Sequence, residues 1–421
     1  MPGSAAISVR EAQRRIMERA RPLAAERAAI PAALGRVLAE PIEAERDLPP
    51  WDNSAMDGYA VRVADVAEGT PLPVALDIPA GARNRQALPA GAAARIMTGA
   101  PLPVEADAVI PVEESIGPGG EGVFASPGES VRFVARPERG AHVRNRAEDF
   151  RQGERILAAG VVFRGPQIAL SASAGHAVVS VVRRPRVAIV STGDELVDIG
   201  EAARPGRIVN GNAYGVAAQV AEAGGLPTVL PIVPDDPAAT LRAVESALTA
   251  DAVVTIGGIS AGARDHVRDA LAGAGVELVF WKVALRPGGP MAFGVASAGN
   301  CVFGLPGNPV SALVTFELFV RPALLRMGGH ERCFRRTLPA RLGEPVRTLP
   351  GKTYYLRGRL TFDGGEWIAS LAGTQGSGVL SSLARADGLL IIPEEIGDLP
   401  VGAVVDVLPI HDQMLYQAEV S

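Results

Sequence analysis

The stretch Arg186-Val-Ala-Ile-Val-Ser-Thr-Gly-Asp-Glu195 decides the fold. Val187 to Val190 is an unbroken apolar run that ends in small polar residues and a glycine, the signature of a strand buried on both faces. Outward from it the pattern repeats. A helix is expected with Asn212 as its cap, running through Val216, Val220 and Ala221 and stopped at Gly224-Gly225. A strand around 227–233 follows. Asp236 at an N-cap and Pro237 at the first helical position then open a helix through Leu241, Val244 and Leu248. Val253-Val-Thr-Ile256 predicts the next strand, Asp265 to about Ala272 a helix, Val276 to Leu285 a strand and Cys301-Val-Phe-Gly304 another. Asn308 as cap and Pro309 as first residue open a long helix to about Met327. Strands alternating with helices of this length predict a doubly wound, mostly parallel α/β sheet.

The flanks have a different texture. Ser8-Val9-Arg10-Glu11 fits a capping box, and Pro22 ends the helical run it opens. Residues 1–45 read as helix, loop and a short strand pair. The segment 47–146 is rich in Pro and Gly, with short apolar pieces and no helical period, so it reads as a β domain with long loops. Residues 147–182 read as strand and helix again. After Gly328 the period drops to two, as in Thr353-Tyr-Tyr-Leu-Arg-Gly-Arg-Leu360 and Val404-Val-Asp-Val-Leu408, which predicts a small β-barrel or sandwich.

Composition excludes several classes. The chain has 421 residues, a length that suits about three domains. At 48% hydrophobic and 21% charged residues it is globular. Net charge is −5, aromatics are 5% and no basic block appears, which argues against a nucleic-acid partner. Residues 287–316 carry no charge, but repeated Gly and Pro interrupt them, so no membrane span is expected. Cys301 and Cys333 are the only cysteines, too few for a disulfide framework or a thiolate zinc cluster. No secretory signal is seen, and a reducing cytoplasm is the expected compartment. A lone histidine such as His176 reads as structural.

Ligands of open α/β sheets sit outside the carboxyl ends of the strands. The segments there read Ser191-Thr-Gly-Asp-Glu195, Pro234-Asp-Asp236, Gly257-Gly-Ile-Ser-Ala-Gly262, Arg286-Pro-Gly-Gly-Pro290 and Gly304-Leu-Pro-Gly-Asn308. Free backbone N–H groups at helix starts suit phosphate or another oxyanion, with Ser260 a further donor. The carboxylates of Asp194, Glu195, Asp235, Asp236 and Asp265 suit a hard divalent cation that bridges phosphate oxygens. Plain readings stand beside these: Asp236 and Asp265 can be helix caps, and glycine-rich loops can be tight turns. None of these loops is a Walker A, and no GxGxxG fingerprint follows the first strand. Three more polar clusters, Asp52-Asn-Ser-Ala-Met-Asp-Gly-Tyr-Ala-Val-Arg62, Arg95-Ile-Met-Thr-Gly-Ala-Pro101 and Val143-Arg-Asn-Arg-Ala-Glu-Asp149, would each be turn chemistry if met alone.

Together these pieces resemble the molybdopterin molybdenumtransferase family, the bacterial MoeA proteins and the E domain of gephyrin. The resemblance spans residues 5 to 411. It rests on Asn53-Ser-Ala-Met-Asp-Gly-Tyr-Ala60, Met97-Thr-Gly-Ala-Pro101, Ser191-Thr-Gly-Asp-Glu-Leu196 and Gly304-Leu-Pro-Gly-Asn-Pro-Val-Ser311. It implies a discontinuous α+β N-terminal domain (1–46 and 147–182), an inserted β domain (47–146), a molybdopterin-binding α/β domain (183–329) and a C-terminal β-barrel (330–421). It also implies a cytoplasmic homodimer with a shared active site, and transient contact with other molybdenum cofactor biosynthesis proteins. The implied reaction takes adenylated molybdopterin and molybdate, uses a Mg2+-type cation, releases AMP and inserts molybdenum into the dithiolene.

Roles follow position by position. Glu195 and Asp265 look like acids for the cation or substrate, and Asp235 or Asp236 matches a further acid. Asp57, Thr98 and Asp149 match catalytic polar positions on the β-domain side. Ser260, Lys282 and Arg286 match the substrate-binding side, and Pro306 and Pro309 flank the implied molybdate pocket. Many bacterial relatives read Lys-Pro-Gly-Lys-Pro where this chain has Arg286-Pro-Gly-Gly-Pro290. Arg286 keeps a cation there, with a forked donor. Gly289 removes a second one, which leaves room for a tungstate-specific paralogue. Adenylyl transfer from ATP and a non-catalytic cofactor carrier or scaffold are the competing functions.

Overall fold

A computed structural model of the chain describes residues 6–83, 86–201, 205–258, 266–413 and 416. They fall into two compact units, one of Met1–Glu26, Gly35–Ala39 and Ser180–Ser421, the other of Arg27–Leu34 and Glu40–Val179.

The first unit is built on a six-stranded sheet in the order Leu226–Val229, Arg186–Ser191, Ala252–Ile256, Cys301–Leu305, Ala292–Ala296, Val276–Phe280. The first four strands are parallel, as the alternating pattern predicts. Ala292–Ala296 runs antiparallel to both its neighbours, so the sheet is mixed at one side. Gly294 makes this hairpin possible, because a Cβ there would lie 2.8 Å from the Glu277 carbonyl oxygen. The helices Gly211–Glu222, Pro237–Ala247, His266–Gly273 and the run from Pro309 to Met327 cover the sheet. Two apolar clusters result, one around Ile189, Val254 and Phe303 with the N-terminal helix Val9–Met17, the other around Val190, Val253 and Val302. Ser8 caps that helix by accepting the Glu11 N–H at 3.2 Å.

Several sequence expectations shift. The cap of the 211–222 helix is Asn210, not Asn212. The single strand expected over 276–285 is two elements. Val276–Phe280 stays in the α/β sheet, whereas Leu285–Arg286 pairs in parallel with Thr353 and Tyr354 of the C-terminal sheet. The strand expected around 227–233 is Leu226–Val229. The 309–327 helix is continuous but widens to a π segment over Phe316–Val320.

The C-terminal strands close on themselves. Thr353–Asp363 pairs with both Glu366–Leu371 and Gly388–Ile392, and Leu338–Leu342 and Val404–Pro409 complete the ring. This is a five-stranded barrel around Leu342, Leu356, Leu390 and Val407.

The second unit carries a seven-stranded sheet from residues 58 to 133 and a smaller part with the helix Gly165–Ser173. Its short strand Ile42–Glu43 pairs with Arg155–Leu157, so the chain returns to its own start after the β insertion. Gly58 lies where two strands approach closely, and a Cβ there would fall 2.0 Å from the Ile110 carbonyl oxygen. His176 is structural, with its ring 2.7 Å from the Glu43 carbonyl oxygen. No described helix is long and apolar enough to cross a membrane.

Asp251 locks the entry of the α/β sheet. It accepts from the Arg183 guanidinium at 2.5 and 2.6 Å and from the Arg186 N–H at 2.8 Å. Burial alone would push its pKa up, but these bonds outweigh it and bring the carboxyl from 3.8 down to about 2. A depressed folded pKa means the contribution is complete above the unfolded value and is lost as pH falls toward the folded one. Asp251→Ala is expected to cost about 2–4 kcal/mol in urea denaturation at neutral pH. The gap between variant and wild type should shrink as pH drops from 4 toward 2. A gap independent of pH would assign the loss to packing instead.

Candidate functional site

Because four neighbouring strands are parallel, their following loops gather at one edge. There they are stitched together by backbone bonds. Gly193 N–H donates to the Val233 carbonyl at 3.1 Å, and Gly257 N–H to the Leu305 carbonyl at 3.0 Å. Gly193 sits at φ 148°, and a Cβ on it would lie 2.5 Å from a Glu195 carboxylate oxygen, so glycine lets that carboxylate fold back over the turn. The Asn212 amide donates to the Gly307 carbonyl at 2.7 Å, tying the first turn of one helix to the loop before another.

The acids separate by use. Asp236 accepts the Ala239 N–H at 2.7 Å and is a helix cap. Asp194 accepts the Asp235 N–H at 3.2 Å. Asp235 and Glu195 are exposed, and their carboxylates take no hydrogen bond from the described residues. Ser260 and Asp265 lie outside the described residues. Pro306 is buried and Pro309 half-buried at the start of the Pro309–Thr315 helix. Lys282 is exposed, and its carbonyl accepts the Ile7 N–H at 3.2 Å. Among the described residues no three His, Cys, Asp or Glu side chains form a metal cage. The oxygen donors of Asp194, Glu195 and Asp235 nevertheless fit Mg2+, which usually takes one or two carboxylates and completes its shell with substrate phosphate and water.

Arg286 belongs to a different wall. Its guanidinium lies 5.8 Å from the centre of the Tyr354 ring and lines a cavity of about 390 Å³ with Arg347, Arg357, Gln375 and Asp398. Arg357 is fully buried. It donates to the Thr374 and Gly376 carbonyls, both at 3.1 Å, and to Ser382 Oγ at 3.1 Å. Among the described residues no carboxylate pairs with it, and burial brings its pKa down to about 10, which still leaves it charged at neutral pH. A buried cation without a counter-ion is costly unless an anion completes it. The loop that holds Arg357 also reaches the proline loop, because Val310 N–H donates to the Ser377 carbonyl at 3.1 Å. Sequence reading missed Arg357 and Arg347. The available signal was the arginine at position 357, flanked by Leu356 and Gly358 inside a run that otherwise reads as barrel strand.

A fourth lysine-like cation is not easily restored at Gly289. A Cβ there would meet the carbonyl oxygens of Leu285 at 3.3 Å and Val283 at 3.4 Å, so a side chain requires the turn to relax by a few tenths of an ångström.

In the second unit the three polar clusters form one patch. Ser54 N–H donates to the Ala100 carbonyl at 3.0 Å and Gly99 N–H to the Ser54 carbonyl at 2.8 Å. Asn53 and Ser54 pair with Arg144 and Val143. Arg146 N–H donates to Asp52 at 2.7 Å, and Asp149 N–H to the Leu48 carbonyl at 3.0 Å. Asp57 accepts both the Thr98 N–H at 2.7 Å and the Thr98 hydroxyl at 2.8 Å. The backbone bond first, then the hydroxyl, hold its carboxyl below the usual range. Asp57, Thr98 and Asp149 are all exposed.

Comparison with known proteins agrees along the chain. Residues 7–175 match the family described as MoeA N-terminal region (domain I and II), residues 188–326 a probable molybdopterin binding domain, and residues 339–410 the MoeA C-terminal region (domain IV). Molybdopterin molybdenumtransferase 2 of Mycobacterium tuberculosis is 38% identical over 413 residues, covering 95% of this chain and 98% of that one. Molybdopterin molybdenumtransferase of Nostoc is 35% identical, covering 90% and 86%. The crystal structure of the molybdopterin biosynthesis MoeA protein from Pyrococcus horikoshii superposes with a TM-score of 0.77 at 28% identity, covering 96% and 99%.

The Asp57–Thr98 contact is directly testable. Thr98→Val removes the hydroxyl and keeps the backbone donor, so the Asp57 carboxyl pKa should rise toward the ordinary aspartate value in an NMR titration. An unchanged pKa would show that the backbone bond alone sets it.

Proposed function

The chain belongs to the molybdopterin molybdenumtransferases, transferases of molybdenum cofactor biosynthesis, and from that membership we propose that it inserts molybdenum into adenylated molybdopterin with release of AMP. The observation that carries this reading is Arg357, a buried guanidinium with no carboxylate partner among the described residues, lining one cavity with Arg286, Arg347 and Asp398. Such a wall suits a substrate that is a polyanion and a second that is a tetrahedral oxyanion. Molybdate is that oxyanion. Pro306 and Pro309 shape the neighbouring loop, and Lys282 adds positive potential for the incoming phosphates.

Glu195, with Asp194 and Asp235, would hold Mg2+, which when bound would neutralise phosphate charge on the nucleotide. Asp236 is better read as a cap, so Asp235 is the acid we assign. Ser260 and Asp265 are assigned to substrate and cation by resemblance. Asp57 has a lowered pKa and is a weak base, so its role is to accept a hydrogen bond and orient water or substrate. Thr98 is its positioning residue, and Asp149 is assigned beside them. We propose a cytoplasmic homodimer in which these three residues serve the reaction with the partner's α/β loops. Transient contact with the proteins that supply and receive the pterin follows from the instability of such intermediates in water.

Purified chain with adenylated molybdopterin and Mg2+ should release AMP only when molybdate is added. A tungstate arm run beside it reads metal choice, and an ATP arm with unadenylated pterin reads adenylyl transfer. No AMP in the molybdate arm would end the proposal, and tight pterin binding without turnover would favour a carrier. Asp57→Ala and Glu195→Ala should each lower turnover at least about tenfold, roughly 1.4 kcal/mol of barrier. Mixing the two impaired variants should raise turnover above that of either alone if the site is shared, and leave it unchanged if it is not. Arg357→Met should raise the molybdate requirement about tenfold or more, in keeping with the loss of one charge-assisted contact.

A further inference from the structure

A second cavity, of about 240 Å³, lies away from these loops. It sits where the π segment Phe316–Val320 meets the N-terminal helix and the barrel strands that carry Tyr355, Ile391 and Leu408. The π segment changes the local hydrogen bonding, and Gln13 Nε2 donates to the Leu318 carbonyl at 3.1 Å. Widened turns of this kind frequently lie at functional sites.

The polar groups of this cavity are unevenly satisfied. Arg335 donates to Glu317 at 2.7 Å and to the Ile410 carbonyl at 3.1 Å. Arg321 lies 3.8 Å from the other Glu317 oxygen, beyond hydrogen-bond distance, and donates to nothing among the described residues although its side chain is only 17% exposed. The Tyr355 hydroxyl, on a residue 5% exposed, also has no partner among the described residues. Burial pushes this phenol up to about 12, so it stays a neutral donor at physiological pH. Two guanidiniums face one carboxylate on the wall, an excess of one positive charge. Farther out, the Glu222 carboxylate acts on both Arg321 and Glu317, and Arg326 acts on Cys333. Leu318, Ile391 and Leu408 make the rest of the wall apolar.

We propose that this cavity is a binding site for a small organic monocarboxylate, whose carboxylate takes the free donors of Arg321 and Tyr355 while its hydrocarbon body packs on Leu318, Ile391 and Leu408. A carboxylate would give Arg321 the hydrogen-bonded counter-ion that Glu317, 3.8 Å away, does not supply, and a forked guanidinium matches carboxylate geometry. The volume equals about eight water volumes at ~30 Å³ each, which fits a short aliphatic or single-ring acid. This reading does not depend on the transferase reaction.

Calorimetric titration of the full chain with hexanoate and benzoate tests it, with hexanamide and hexylamine as controls. Both acids should bind saturably, and neither control should. Arg321→Gln should weaken hexanoate at least about tenfold, and Tyr355→Phe about fivefold, as expected for a charged and a neutral hydrogen bond. Absence of saturable heat with either acid, equal binding of the amide, or wild-type affinity in Tyr355→Phe would each overturn the proposal. If Arg321→Gln fails to fold by circular dichroism, Tyr355→Phe and the amide control decide alone.

Discussion

Parallel strands all end on the same side, and that constraint organises the α/β half of this chain. Each crossover must deliver its loop to one edge, so Thr192–Glu195, Val233–Asp236, Gly257 and Leu305–Asn308 are neighbours although they are far apart in sequence. Crowding follows. The loops satisfy their backbone groups through each other, and glycine is required where a Cβ has no room, as at Gly193 and at Gly258, where it would come within 2.3 Å of Val267. The same crowding concentrates helix N-termini and carboxylates at this edge, the chemistry on which the proposed phosphate and cation binding rests.

Much of this was readable in the residues because local chemistry determines it. Asp236-Pro237 has one good local solution, a cap and a first turn, and the chain adopts it. The buried runs 187–190, 253–256 and 301–304 had nowhere to go but the centre of a sheet. Where tertiary context decides, the pattern was silent or ambiguous. Periodicity cannot say which sheet an apolar run joins, so the break between Phe280 and Leu285 was invisible. Asn212 looked like a cap but spends its amide on Gly307, a partner set by the fold alone. Of the site, the acids and prolines stood out as loop residues. Arg357 did not, because what distinguishes it is the absence of a carboxylate partner among the described residues, and an absent neighbour leaves no trace in a strand sequence.

Charge is handled differently in the two halves of the first unit. At the base of the sheet Arg183 and Arg186 both bond the Asp251 carboxylate directly. In the barrel-facing cavity Arg357 is held by carbonyl oxygens and a serine hydroxyl, which fix its position without cancelling its charge. The first arrangement stabilises the fold. The second leaves a fixed positive charge in the cavity wall, the feature on which the proposed oxyanion binding rests.

The pairing of Leu285 and Arg286 with Thr353 and Tyr354 has one more effect. The segment leaving the α/β sheet is itself a rung of the barrel's ladder, so the two bodies are joined through main-chain bonds as well as through side chains. Sliding one past the other would mean tearing peptide hydrogen bonds beside Arg286. Arg286 pairs with Tyr354 on the same strand that carries Arg357, so main-chain bonds set the spacing between the two arginines.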